Sequence, residues 1–416
     1  MNILLIDPVT TSGILDVKTR RKLREGIGYP GIGLATVAAL TPPDIHVRIV
    51  NEAIENIDLD YPADLVGISV QAPTAPHAYR LSTHFRQKGT STVLGGIHVS
   101  LNPDEALPHA NSILLGEAEI PWPVLIGDFL KGDLKKIYGP IKMADLDNSP
   151  CPRRELLNKE RYQLPFVIQA SKGCPYGCEF CSLYCFLGHM PRYRDVSKVA
   201  KEIESLDGDN FLFADDNIYS NREYSLGLFN VISNCKKHWV AESTWHIAFD
   251  NETLAASKRS GCVGLFIGFD TINQQPHITK VPKSNEVEEI YIRAIKNIQS
   301  YGIAVVAAFV FGLDNDDESV FERSLRVVRR GGANLVNFSA LVPYPGTPIF
   351  RRLDREGRII ERDWSKYISP NICYEPKMMN RSTLEAGIRW AQSEFYSMGN
   401  ILQVSWETTK SLGWAM

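Results

Sequence analysis

The chain has 416 residues, a formal net charge of -3, 44% hydrophobic and 22% charged side chains, and no biased tract. Its length calls for two or three domains, and its composition excludes extended disorder. The near balance of charge argues against a polyanionic partner such as nucleic acid.

The opening Met1-Asn-Ile-Leu-Leu-Ile-Asp7 meets an acid after a short apolar run and has no basic flank, so it does not read as a signal peptide. No run reaches the roughly eighteen apolar residues of a membrane span. Eight cysteines, three of them within eight positions, suit a reducing compartment, so a cytoplasmic location is expected. Apolar runs at 2–7, 46–51, 65–70 and 92–94 read as strands. Helical patterns at 33–40 and 77–87 lie between them. The run Leu65-Val-Gly-Ile-Ser-Val70 is apolar on both faces, as in a parallel sheet covered on each side. A doubly wound domain over 1–135 follows. Between 136 and 164 the rhythm is lost and Pro140, Pro150 and Pro152 interrupt it, which marks a linker.

A second βα series fills 165–345, with strands expected at 166–170, 211–214, 244–248, 263–268, 304–311 and 335–341. Helical stretches at 196–206, 288–301 and 319–330 supply crossovers of the length that parallel strands require. Six βα units suggest an open (β/α)6 barrel of the TIM type. Residues 346–416 read as a small helical cap with an amphipathic helix over 384–398. Trp390, Phe395, Tyr396, Trp406 and Trp414 of this cap could form an apolar lid, with core the favoured reading.

Just after the first strand of the second series, Cys174-Pro-Tyr-Gly-Cys178-Glu-Phe-Cys181 carries three thiols. Three thiolates on a four-iron cubane leave one iron open to chelate the amino and carboxylate groups of a methionine moiety. The rival is a zinc knuckle with Cys185 as fourth ligand. Cys178 and Cys181 have no second C-x2-C pair to complete it, and Phe180 stands where a ring could cover a cluster or a nucleobase.

The C-x3-C-x2-C spacing after a strand resembles the radical S-adenosylmethionine superfamily. The resemblance implies a 4Fe-4S cluster on Cys174, Cys178 and Cys181, and S-adenosylmethionine at the carboxyl ends of the barrel strands. It carries Phe180, Asp215, Asp216, Asn217, Gly268, Asp270 and Thr271 over as contacts to that cofactor. The plainer reading of Asp215, Asp216 and Asn217 is a helix cap.

The first domain, with Ser69-Val-Gln71, Gly95-Gly-Ile-His98 and Gly116-Glu-Ala-Glu119, resembles the flavodoxin-like cobalamin-binding domain of one large class of these enzymes. Gly312-Leu-Asp314 and Pro343-Tyr-Pro-Gly-Thr347 agree with that class. The resemblance places Ser69, Gln71, Thr74, Gly95, Gly96, His98, Gly116 and Glu117 around cobalamin. A D-x-H-x-x-G signature is missing, since 22–28 reads Lys-Leu-Arg-Glu-Gly-Ile-Gly. His98 is therefore not assigned to cobalt.

With both cofactors, the implied reaction is C-methylation of an unactivated carbon on a small molecule through a 5'-deoxyadenosyl radical. An external electron donor such as flavodoxin or ferredoxin is implied too. Tyr184, His189 and His246 are the pocket candidates. Cyclisation, oxidation or rearrangement without methyl transfer is the alternative, and a non-catalytic iron-sulfur redox or sensing protein is a third reading.

Overall fold

The computed structural model describes residues 1–10, 28–139, 143–274, 281–282 and 286–402. The first sheet contains β1 (Asn2–Asp7), β2 (His46–Asn51), β3 (Leu65–Ser69), β4 (Ser91–Gly95), β5 (Ser112–Leu114) and β6 (Ile137–Tyr138). Its order is β2-β1-β3-β4-β5-β6 and every pair is parallel. This is a doubly wound order, with its switch point between β1 and β3. Helices α1 (Gly33–Ala39), α2 (Ala75–Gln87) and α3 (Pro121–Leu130) cover the two faces. Leu4, Ile6, Val66 and Ile68 pack on the α2 side, and Ile3, Leu5, Leu65 and Trp122 on the other. Burial on both faces is why β3 is apolar throughout.

The second sheet holds β7 (Val167–Ile168), β10 (Asn210–Phe213), β11 (His238–Thr244), β12 (Cys262–Asp270), β13 (Ala304–Phe311) and β14 (Leu335–Ala340). Its order, β14-β13-β12-β11-β10-β7, follows the chain without a reversal, and all pairs are parallel. A small antiparallel ribbon, β8 (Ser171–Lys172) with β9 (Arg192–Tyr193), precedes β10. The helices of this unit are α4 (Ser182–Leu187), α5 (Val196–Glu204), α6 (Arg222–Ile232), α7 (Asn251–Arg259), α8 (Val287–Ser300) and α9 (Ser319–Gly331). Two more, α10 (Pro348–Arg355) and α11 (Arg381–Phe395), follow β14.

The third strand of this unit differs from its expected place. It runs Cα to Cα beside β10 and β12 at His238–Thr244, whereas Trp245–Phe249 forms a 3-10 turn. The apolar stretch of that turn buries Ile247 and Ala248 and mimics a strand in sequence. β5 and β6, of three and two residues, are too short to give a periodic signal, whereas β7 falls inside the strand expected at 166–170. Phe395 of α11 is core, whereas Trp390 and Tyr396 are exposed. Trp406, Trp414 and Pro140 lie outside the described residues. Among the described residues, no helix is long and apolar enough to cross a membrane.

Candidate active site

The three thiols sit on the loop between β8 and α4, with Cys178 buried and Cys174 and Cys181 half-buried. Two neighbouring carboxylates at the end of β10 brace the approach to this loop. Asp215 accepts from the Ala170 amide at 2.8 Å and from the Ser171 hydroxyl at 2.6 Å. Asp216 accepts from the Gly173 amide at 2.6 Å, one residue before Cys174. Burial pushes Asp215 up to about 7, against these donors, and pushes Asp216 up as well. Neither residue caps a helix. Cys181 does: it precedes α4, and its Sγ accepts from the Tyr184 amide at 3.4 Å, a contact that stabilises thiolate charge.

Among the described residues, no three His, Cys, Asp or Glu side chains converge on a single ion. Asn217 fits a bound small molecule at the same edge. It is fully buried, and its Oδ1 accepts from the Tyr219 amide at 3.1 Å, yet its Nδ2 has no acceptor among the described residues. Such a donor is costly unless a ligand supplies the acceptor.

At the end of β12 the register with β13 shifts between Gly268 and Asp270, and Asp270 takes φ +60. Bulges and left-handed non-glycine residues of this kind re-aim side chains at functional edges. Thr271 donates to Asp316 at 3.3 Å, and Tyr291 donates to the Phe269 and Thr271 carbonyls.

A cavity of about 580 Å³ opens between the carboxyl ends of the two sheets. Ser69, Gln71, Gly95, Gly96, Gly116 and Glu117 line it from the first unit. Gln169, Lys172, Asp215, Asp216 and Glu242 line it from the second, and α4 contributes Leu183, Phe186 and Leu187. Gly96 has φ +102, and a Cβ there would stand 2.8 Å from the Val70 carbonyl oxygen, so only glycine lets the chain turn at this wall.

Other expected residues stand elsewhere. Thr74 exchanges hydrogen bonds with the Gln71 backbone in a capping box, which turns it away from the cavity. His98 is buried beside Tyr79 and Trp364, with Nε2 3.4 Å from Glu105, and so does not reach the cavity. Phe180 packs on the core of the second sheet, and Asn217, Gly268, Asp270 and Thr271 lie outside the cavity wall on that unit. Tyr184 and His189 contact each other at 4.4 Å and do not line the cavity, whose wall takes the neighbouring positions of α4. His246 follows β11 in the 3-10 turn instead of lying on the strand. It is stacked between Trp245 and Tyr176 of the cysteine loop, with Nδ1 3.1 Å from the Tyr176 hydroxyl.

Sequence reading missed Lys172, Arg192 and Glu119. Arg192 forks onto Glu117 at 2.7 and 3.1 Å, and Lys172 reaches Glu117 at 3.1 Å and Glu119 at 2.6 Å. Glu117 is thus committed to a clamp between the units. The alternating acids of Gly116-Glu-Ala-Glu119 were the available signal, without any clue to their partners.

Two parallel α/β units and a three-cysteine loop at the strand ends define a class of cluster-bearing radical enzymes. Residues 168–328 match the Radical SAM superfamily, so the chain carries a domain of that family. Its cofactors are accordingly a 4Fe-4S cluster and S-adenosylmethionine.

Among curated relatives, the bacteriochlorophyllide d C-12(1)-methyltransferase of Chlorobaculum tepidum is 28% identical over 385 residues, covering 89% of this chain and 84% of that one. The hopanoid C-2 methylase of Rhodopseudomonas palustris is 28% identical over 353 residues, covering 80% and 66%. Among solved structures, TsrM of Kitasatospora setae, a radical S-adenosylmethionine methyltransferase solved with cobalamin and a [4Fe-4S] cluster, shares the fold. Its TM-score is 0.66 at 16% identity, with 96% of this chain and 86% of that one covered.

Proposed function

We propose that this chain is a cobalamin-dependent radical enzyme that methylates an unactivated carbon of a small molecule. The observation that carries the reading is a cavity walled by the strand ends of both units, beside the cysteine loop. On this reading the second unit is a partial (β/α)6 barrel, the first is a cobalamin domain, and the chain divides near 135, 165 and 345. The names of the methyltransferase relatives support it.

When bound, the cluster with S-adenosylmethionine supplies a carbon-centred radical and cobalamin supplies a methyl group, chemistry that side chains lack. The protein's own part is to hold and to exclude. Cys174, Cys178 and Cys181 hold the cluster, with the Tyr184 amide supporting the Cys181 thiolate. Asn217, through its buried Nδ2, and Asp270 on its bulge would be the residues that hold S-adenosylmethionine. Ser69, Gln71, Gly95, Gly96 and Gly116 form the ledge for the corrin, whereas Glu117 fixes the wall through Arg192. Leu183, Phe186 and Leu187 give the cavity an apolar wall that would keep water from the reacting groups and suit an apolar substrate. A separate reduced protein donates the electron.

The test is anaerobic purification and reconstitution with iron, sulfide and methylcobalamin, followed by reduction with S-adenosylmethionine present. The expected outcome is 5'-deoxyadenosine together with cobalamin retained through gel filtration. A cluster-loaded sample that forms no deoxyadenosine would sink the radical reading. Deoxyadenosine without retained cobalamin would overturn methyl transfer in favour of cyclisation, oxidation or rearrangement.

A further inference from the structure

The segments Gly312-Leu-Asp314 and Pro343-Tyr-Pro-Gly-Thr347 have no part in the cavity, yet both converge on the cysteine loop through one side chain. Glu179 directly follows Cys178 and is the one carboxylate within the C-x3-C-x2-C segment. Arg352 of α10, 173 residues further on, meets it with Nη2 at 2.8 Å and Nε at 3.2 Å, the fork geometry that guanidinium and carboxylate favour. The side chains are 20% and 12% exposed, so solvent screens the pair only in part.

The remaining Nη1 of Arg352 reaches Asp314 at 2.6 Å, and Arg358 holds the other oxygen of Asp314 at 2.9 Å. Asp314 therefore sets the direction from which Arg352 approaches. The helix itself makes a second hold on the loop, since the Ile349 amide in its first turn donates to the Glu179 carbonyl at 3.1 Å. Thr347 caps that turn through the Phe350 amide at 3.3 Å. The turn before it rests on the first unit: Asn102 donates to the Pro345 carbonyl at 3.3 Å. Gly346, at φ +85, lies so close that a Cβ would stand 2.6 Å from Leu101 Cβ.

We infer that Arg352 is a positioning residue that sets the reduction of the cluster, because it both anchors the cysteine loop and neutralises the carboxylate that directly follows Cys178 in that loop. The inference rests on the cysteines holding a cluster as proposed above. Cluster potentials respond to nearby net charge and to the burial of that charge. With Arg352 gone, the Glu179 carboxylate stays on the cysteine loop with no fork opposite it, and adding an electron to a cluster on that loop is harder. A purely structural brace makes a different prediction: cluster occupancy or stability falls while the potential of whatever cluster binds is unchanged.

The experiment compares full-length wild type, Arg352→Ala, Glu179→Gln and the Arg352→Ala/Glu179→Gln double variant. All are reconstituted anaerobically with iron and sulfide and assayed for iron per chain. The midpoint potential is read by redox titration followed by electron paramagnetic resonance. Arg352→Ala is expected to shift the midpoint to more negative potential and to slow reductive S-adenosylmethionine cleavage about 10- to 100-fold, the range typical of lost outer partners of a metal site. Glu179→Gln is expected to shift it to more positive potential, and the double variant to return toward wild type.

A midpoint unchanged in both Arg352→Ala and Glu179→Gln overturns the inference. If Arg352→Ala takes up no cluster, Glu179→Gln alone decides, with an unchanged midpoint again fatal. Wild type that binds no cluster overturns the reading of the cysteines instead, an outcome separable from the others.

Discussion

At the scale of single residues, Asp316 shows what burial costs a carboxylate. It accepts from the Gly312 and Leu313 amides at 3.1 and 3.0 Å, from Asn273 at 2.9 Å and from Thr271 at 3.3 Å. Desolvation nevertheless pushes it up from 3.8 to about 6. A carboxyl whose folded value is raised favours the fold below its unfolded value, and that contribution is lost as pH rises through the folded one. The window here runs from about 4 to about 6, and at 1.36 kcal/mol for each pH step it amounts to roughly 3 kcal/mol at most. Asp316→Asn removes the titration: Thr271 can turn its hydroxyl to accept, and Asn273 Nδ2 loses this partner but keeps the Asn315 carbonyl, a cost that does not vary with pH. The expected outcome is that the thermal midpoint of Asp316→Asn gains on wild type between pH 5 and pH 8. A constant difference across that range would refute the assignment. Gly96 makes a conformational demand instead: Gly96→Ala forces a Cβ against Val70 at φ +102 and is expected to destabilise by about 1–3 kcal/mol in urea titration. Wild-type stability in that variant would show that the wall can relax.

Between neighbouring elements the second sheet raises a problem that its sequential order creates, since β7 and β14 both have an open edge. Side chains seal each one. The outward carbonyls of β7 and of the residue after it are taken by guanidinium groups, Val167 by Arg154 and Gln169 by Arg194, and Glu202 of α5 pairs with both arginines. On β14, the Tyr396 hydroxyl bridges the Val336 carbonyl and amide at 3.0 and 3.3 Å, and Ser369 accepts from the Ala340 amide at 3.0 Å. Glu202 is 3% exposed, so Glu202→Gln leaves two half-buried cations short of their counter-charge. Loss of about 3–5 kcal/mol in urea unfolding is expected, as for other broken buried pairs. A loss below about 1 kcal/mol would mean that water, and not Glu202, satisfies those arginines. The same elements show what sequence can convey. Long apolar strands such as β13 and amphipathic helices such as α9 are legible because burial alternates along them. The cysteine spacing is legible because the chemistry is local. The third strand was misplaced because the 3-10 turn after it is equally apolar. Pairs such as Glu179 with Arg352 or Lys172 with Glu119 are invisible, since only the folded chain brings such distant positions together.

For the whole molecule, the question is what keeps two separately cored units facing each other across the cavity. The first unit's Glu117 and Glu119 are 5% and 8% exposed, and Arg192 and Lys172 of the second unit reach into them. Burial raises Glu117, but the Arg192 hydrogen bond and the Lys172 and Arg192 charges more than offset it and hold its carboxyl below the usual value. The clamp joins the β5 end of the first sheet to the β8–β9 ribbon that leads into the cysteine loop, so it spans the cavity mouth. Each unit keeps its own apolar core, and cutting the clamp should therefore undock them without unfolding either. The Glu117→Gln/Glu119→Gln variant strips Lys172 and Arg192 of their carboxylate partners on the first unit. Calorimetry should then resolve two unfolding transitions where wild type gives one, with the first unit melting earlier. On the proposed reading, that variant keeps its iron, whose ligands all lie in the second unit, and loses cobalamin on gel filtration, whose pocket needs both walls. Retention of cobalamin with a single, unshifted transition would show that apolar contacts across the cavity, and not the four charges, hold the units together.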